Sequence, residues 1–402
     1  MRCITIKVVV LAALLLLVLL SAAAQGQRPN FGPIATFNSG STVHISVSRL
    51  MDGKFVVAYV DSGNSGQGTA IIGEINGNTI TFGSEYVFNP ANTQFAAVDN
   101  LSVGSFVVVY RDSGNSNYGT AVAGSVSGTT ITFGSETVFN YGITQFPSVA
   151  ALGSNKFVAA YQDQGNNYYG TAVVGTVSGT TITFGSEYVF NADTTGGVSV
   201  AKEQGSVRFL VAYRDNGNLD RGTAVRGLIS GTGGNEITYG SEQVFNYGAT
   251  GAVSITSLEL DTPSLVIAFE DQANSSYGTT VVATPSFSPI YGSDYVFNSA
   301  GTDLYQSFGI ARLSDTRFVV GYENGSDSDG RVRIGDVSGK TINYGSQTSF
   351  NTGSSSSNIA VSDSGGNIVV CWVDESDGGK GKCRLGSLSP INPGIVQLLL
   401  LP

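Results

Sequence analysis

Between Tyr141 and Asn191, polar and apolar positions change rhythm several times. Thr144 to Leu152 alternates loosely, the period of a strand with one buried face. Gly153-Ser154-Asn155 turns the chain, and Lys156 to Tyr161 is then almost wholly apolar with β-forming residues. A short run of that kind, bounded by turns, predicts a strand buried on both faces. Asp163 to Gly170 is polar and rich in Gly and Asn, hence a loop. Thr171 to Val177 and Thr181 to Phe190 read as two further strands around a Ser178-Gly179-Thr180 turn, with Gly185-Ser186 marking a bulge. Nothing in the unit has helical period or a helix cap.

This pattern recurs along the chain. Phe-Asn closes each unit at Asn38, Asn89, Asn140, Asn191, Asn246, Asn298 and Asn351, and successive asparagines stand 51, 51, 51, 55, 52 and 53 residues apart. A sustained period of that length marks an array and overrides any element-by-element reading. Four antiparallel strands per unit, seven units and no helices predict an all-β fold, a seven-bladed β-propeller. An open β-solenoid is the alternative, although its rungs are usually shorter and its ends need distinct caps. The last unit, 352–390, lacks the terminal FG…FN strand. Phe31-Gly-Pro-Ile-Ala-Thr-Phe37-Asn38 supplies that sequence and aligns with Phe82 to Asn89 without a gap. Strand 31–38 is therefore expected to complete the last blade and lock the ring, which removes a long free sheet edge.

Residues 1–24 stand outside the pattern. Arg2 and Lys7 precede an unbroken apolar run from Val8 to Leu20, and Ala22-Ala23-Ala24 offers small residues before Gln25. This predicts a secretory signal peptide cut after Ala24, leaving 25–402 as a single extracellular domain; a retained membrane anchor is the rival. No other stretch is long enough to cross a bilayer, so no membrane span is expected in the mature chain. Without Arg2 and Lys7, 18 basic residues face 30 acidic ones, and no Lys/Arg cluster exists. Nucleic acid and anionic membranes are thus poor partners. Cys371 and Cys383 occupy the places of Ala58/Ala160 and Ala70/Ala172 in earlier units, small cross-strand neighbours in the hairpin. They predict a disulfide worth roughly 2–3 kcal/mol for its short loop. Asn100, Asn274 and Asn324 begin N-x-S sequons.

Two polar signatures recur. The first follows the second strand as Tyr59/Asp61/Asn64, Tyr110/Asp112/Asn115, Tyr161/Asp163/Asn166 and Tyr213/Asp215/Asn218, and weakens in the last three units. The second straddles the unit junction as F-N-x-x-x-T/S, ending at Thr42, Thr93, Thr144, Thr195, Thr250, Thr302 and Ser355. In a propeller both ring one face. Their plain reading is structural: Asp and Asn brace tight loops through backbone hydrogen bonds. Their functional reading is a polyvalent rim on which Asp, Asn and the loop aromatics Tyr118, Tyr168, Tyr169 and Tyr277 contact a glycan or a protein. The loop tips differ between units, as in Ser65-Gly-Gln67 against Asn167-Tyr-Tyr169, so only the framework repeats.

Catalytic chemistry has little to work with. His44 is the only histidine, which excludes a multi-histidine zinc site and leaves Ser-His or Cys-His chemistry resting on one residue. Glu85, Glu136, Glu187 and Glu242 sit at repeated positions, whereas Asp99, Glu203, Glu259 and Asp261 are singular acids without an evident partner. No cofactor is required by any motif. Ca²⁺ has a foothold in the crowded acids Asp327/Asp329 and Asp374/Asp377, although solvated acidic loops are the plainer reading.

On these features the chain resembles known groups at superfamily level. FG early in the fourth strand with Asp/Gly-rich loops resembles the FG-GAP repeats of integrin-type propellers, without their full Ca²⁺-binding pattern. The Y-x-D-x-G core is similar to a sialidase Asp box, with Gly-Thr where the box has an aromatic. Seven similar units with Tyr/Asn loops resemble lectin propellers on architecture. The resemblance implies a secreted, non-enzymatic module that recognises extracellular glycan or protein. The competing classes are a self-associating matrix protein and a hydrolase on the same scaffold.

Overall fold

The structure, a computed structural model, describes residues 28–388 apart from 52, 260–263, 285, 302–307 and 364–365. The signal-peptide segment 1–24, the apolar tail 394–402, Asp261 and Thr302 therefore lie outside the described residues.

The described chain is all-β. Its only helical elements are three-residue 3-10 turns that begin after Asp61, Asp163, Asp215, Asp271 and Asp374. The third unit carries all four predicted strands. Thr137–Gly153 pairs with Lys156–Asp163, which pairs with Tyr169–Ser178, which pairs with Thr181–Lys202, each antiparallel. The strand Thr181–Lys202 then does a second job. Up to Thr194 it is the outer strand of this sheet, and from Thr195 it opens the next by pairing with Arg208–Asp215. The Asn-x-x-x-Thr corners at Asn38, Asn89, Asn140, Asn191 and Asn246 are thus points where one strand leaves a sheet and enters its neighbour. Such pairings fall into seven sets, and strand Asn30–Met51 follows the same rule. Its first part pairs with the last strand, Lys380–Ser387, through Phe31↔Gly386 and Ala35↔Cys383. Its second part pairs with Lys54–Asp61.

The apolar second strands are buried on both faces as their composition predicted. Phe55 to Tyr59, Phe106 to Tyr110, Phe157 to Tyr161 and Phe209 to Tyr213 are all fully buried. The cores lie between neighbouring sheets, not within one. Val56 and Ala58 of the first unit pack with Phe106, Val108 and Tyr110 of the second. Val369 and Cys371 of the last pack with Phe55, Val57 and Tyr59 of the first. Cys371 and Cys383 face each other in register and are disulfide-bonded.

One contact recurs at all seven Phe-Asn positions. Each phenylalanine lays its ring on a glycine of the adjoining third strand. A Cβ on Gly68, Gly119, Gly170, Gly222, Gly278, Gly330 or Gly381 would fall 2.2–2.4 Å from the ring of Phe88, Phe139, Phe190, Phe245, Phe297, Phe350 or Phe37. Burying each ring stabilises by roughly 1.5–3 kcal/mol, and only glycine leaves it room. A side chain there must push the ring out of a close-packed core.

Gly170→Ala places its methyl 2.2 Å from Phe190 and is expected to lower unfolding free energy by about 1–3 kcal/mol in denaturant titration. Gly153→Ala, where no atom lies within 4 Å, is expected to change it by under about 0.5 kcal/mol.

Candidate binding face

The corner motif is an internal staple. Asn38 Nδ2 donates to Thr42 Oγ1 at 3.0 Å and to Asp61 Oδ1 at 3.1 Å, and Asn38 Oδ1 accepts from Gly40 N at 2.8 Å. Asn191 repeats this with Thr195 and Asp215 at 3.0 and 3.3 Å, and Asn246 with Thr250 and Asp271 at 3.0 and 3.4 Å. Asp112 accepts from Asn89 Nδ2 and from Gly114 N and Asn115 N of its own loop. Asp61, Asp112, Asp163 and Asp215 are all buried. A buried carboxylate is costly unless it is hydrogen-bonded, and these bonds join the sheet corner to the loop. The four aspartates, read from sequence as rim contacts, are buried instead; Asp61, Asp112 and Asp215 accept from the corner asparagine, while Asp163 is buried with its Oδ1 unpaired.

The asparagines of the same loops point the other way. Asn64, Asn115 and Asn166 are exposed, and Asn218 is half-exposed and accepts from Arg221. The turn past each asparagine ends on a left-handed residue: Ser65, Asn167, Leu219, Ser275 and Gly378, with φ from 53° to 70°. That conformation lifts the variable tip away from the sheet. Among the aromatic candidates, Tyr168 is exposed, while Tyr118, Tyr169 and Tyr277 are half-buried. Sequence reasoning missed Tyr141 and Tyr247, each 76 % exposed. Tyr141 packs edge-on against Tyr118 at 5.5 Å, and the Arg221 guanidinium lies over Tyr247 at 5.7 Å. Both directly follow Phe-Asn, a position that varies inside an otherwise repeated corner, and that variation was the available signal. Between successive sheets on this face runs a groove of about 530 Å³, lined by His44, Ser62, Ser65, Gly66, Asn92 and Gln94 among others.

The remaining sequence candidates are placed as follows. Asp327 accepts from Asn324 Nδ2 at 2.7 Å and pairs with Arg331. The Asn324 hydrogen bond is the leading cause that holds its pKa below the usual carboxylate range. Asp329 accepts from Gly353 N. Lys382 joins Asp374 at 2.8 Å and Asp377 at 2.7 Å, and Lys380 adds a second bond to Asp377. Lys382 and then Lys380 pull the Asp377 pKa down to about 2. Protein cations already neutralise three of these four acids, and among the described residues no three potential ligands gather around one point. Of the sequons, Asn274 is exposed. Asn324 is buried with Nδ2 engaged by Ser326 and Asp327, and Asn100 Nδ2 donates to Leu50 O inside the central cavity. A glycan on Asn324 or Asn100 requires that side chain to leave its hydrogen bonds.

The singular acids are engaged too. Asp99 accepts from Ser48, Ala151 N and Asn100 N, and burial raises its pKa against those bonds. Glu203 is clamped by Arg226 at 2.5 and 2.6 Å, and Glu259 by Arg312 at 2.9 Å. Among the described residues, Asp99, Glu203 and Glu259 are thus each held by partners of their own.

No known family's sequence profile matches the chain, and no curated protein matches it by sequence. By structure, the BP39L lectin of Burkholderia pseudomallei superposes with a TM-score of 0.66 at 12% identity, covering 88% of this chain and 99% of that one. A lectin of Aleuria aurantia, in complex with alpha-methyl-L-fucoside, superposes at 0.50 and 12% identity over 80% and 98% of the two chains. A Dyadobacter fermentans protein of unknown function does so at 0.51 and 11% identity over 89% and 99%. The chain shares the fold of these structures, a β-propeller.

The propeller also carries a repeated acid that responds to pH. Tyr110 and Tyr161 donate to Glu136 and Glu187 at 2.9 and 2.6 Å. Desolvation raises the pKa of Glu136, Glu187 and Glu242, with Asp112, Asp163 and Asp215 adding to it against the tyrosine hydrogen bonds. Folded-state values above the unfolded value of 4.5 mean a contribution that is complete below that pH and lost as pH rises through the raised values. The Tm of the unaltered protein is therefore expected to fall relative to that of an E136Q/E187Q/E242Q variant as pH rises from about 4 to about 7. A constant difference across that range contradicts the assignment.

Proposed function

We propose that the seven sheets are the blades of one ring, closed by strand 31–38, and that this secreted propeller is a non-enzymatic lectin. It holds extracellular glycans in the grooves between successive blades on the loop face. The carrying observation is the division of that face: the repeated aspartates are buried at the sheet corners, while variable side chains such as Tyr141, Tyr168, Tyr247 and Asn92 stand exposed and Asn92 lines a groove between successive sheets. A tyrosine presents a flat apolar surface to a sugar ring, and an asparagine amide both donates and accepts toward its hydroxyls. Weak sites spread around a ring gain through avidity. The fold likeness to two lectins supports the reading. The ion-paired acids support calcium-independent binding.

A glycan array probed with the purified chain, with and without chelator, tests it. Binding to a defined sugar class that survives chelation is expected. Tyr141→Ala and Tyr168→Ala are each expected to weaken it by about 3–10-fold, the range of a stacking contact. A blank array under both conditions overturns the glycan reading in favour of a protein ligand.

A further inference from the structure

The first strand of each of the first five sheets breaks its register just after the corner threonine begins the pairing. The shifts fall between Val43 and Ser46, Gln94 and Ala97, Gln145 and Ser148, Gly196 and Ser199, and Thr250 and Val253. At the first four the bulge contains one residue in the left-handed region: His44, Phe95, Phe146 and Gly197, with φ of 52°, 54°, 50° and 52°. Glycine adopts this conformation freely, and Gly197 needs nothing to hold it. Bulky side chains there are outliers, and such outliers cluster at ligand sites.

The three strained residues touch. The rings of His44 and Phe95 lie 4.8 Å apart and those of Phe95 and Phe146 5.2 Å apart. All three are half-exposed. They form an aromatic arc at the channel mouth. Gly197, Gly251 and Ala252 also line the cavity and contribute little or no side chain there. The cavity is about 210 Å³, with Ile45, Ala96, Pro147, Val198, Val253 and Phe308 as its apolar wall. An apolar protein cavity of about 150 Å³ accepts benzene. The charges at its edge are balanced: Arg214 lies 3.8 Å from Asp220, and a Glu270 carboxylate oxygen abuts Gly251. Arg111, stacked on Phe95 at 5.0 Å, donates to Gln145 behind the ring and does not line the cavity.

We propose that this mouth is a second binding site, adjoining a rim groove through His44, for a small uncharged planar aromatic compound of one or two fused rings. The arc stacks on the ligand, and the small residues leave it room. The left-handed backbone at the bulge places these three side chains at the cavity.

Titration of the purified chain with phenol and with indole, followed by NMR and by thermal shift, tests this. Saturable binding of at least one probe is expected. Ala252→Leu fills part of the cavity and is expected to weaken it at least about tenfold. Phe146→Gly relieves the backbone strain, so it is expected to keep or raise the Tm while also weakening probe binding at least about tenfold. Rim glycan binding is expected to be unchanged in both variants. Two results overturn the proposal. One is no saturable binding of either probe. The other is a Phe146→Gly variant that loses thermal stability with probe affinity unchanged, which makes the arc a plug for the ring.

Discussion

The seating of a phenylalanine ring on a bare glycine, repeated at every Phe-Asn corner, is the contact on which this molecule depends. It sets how closely the outer strand approaches the third strand of its own sheet. It therefore sets where the next sheet can begin, because the same strand continues into it. A second glycine contact works on the neighbouring strand: a Cβ on Gly73, Gly124, Gly175, Gly227 or Gly335 would lie 2.2–2.4 Å from Phe55, Phe106, Phe157, Phe209 or Phe318. In five of the seven units two rings thus rest on glycines of the third strand. Phe37 on Gly381 obeys the same geometry across the two ends of the chain. The pairing of the first strand with the last is then one more instance of the repeat and needs no separate device.

The corner beside each ring shows how one short motif serves two ends. At Asn38, Asn191 and Asn246 the Asn, Thr and Asp side chains form a hydrogen-bonded set that satisfies buried polar groups where a strand changes sheets. That demand consumes the aspartate. The asparagine three residues later has no such obligation, since the 3-10 turn carries it past the edge of the sheet. The framework thereby holds a loop rigidly while leaving its tip free to vary.

Departures from the repeat are informative for the same reason. Where every unit has the same residue, packing or hydrogen bonding accounts for it. Where units differ, at Tyr141, Tyr168, Leu219 and Tyr247 on the rim and at His44, Phe95 and Phe146 at the channel mouth, the framework does not dictate the choice. These positions are also the exposed or half-exposed ones. Several of the singular acids, by contrast, were absorbed by arginines of other strands, as Glu203 was by Arg226 and Glu259 by Arg312.

Much of the architecture was legible from residues alone. The strand pattern, the period, the pairing partner of 31–38 and the facing of Cys371 and Cys383 all follow from local alternation copied seven times, since identical sequence in identical surroundings must fold alike. The site was less legible. Whether a polar side chain of a loop turns inward or outward depends on an acceptor or donor supplied some two dozen residues away, as Asn38 supplies Asp61. Whether an acid is available depends on a cation brought alongside it by strand pairing, as Lys382 is to Asp374. The aromatic arc joins residues of three successive units, each about fifty residues from the next, at a bulge that alternation does not announce. Local periodicity specifies strands because it acts through the chain's own neighbours. Exposure, charge balance and contact between units arise only when the sheets pack, and so they belong to the tertiary structure.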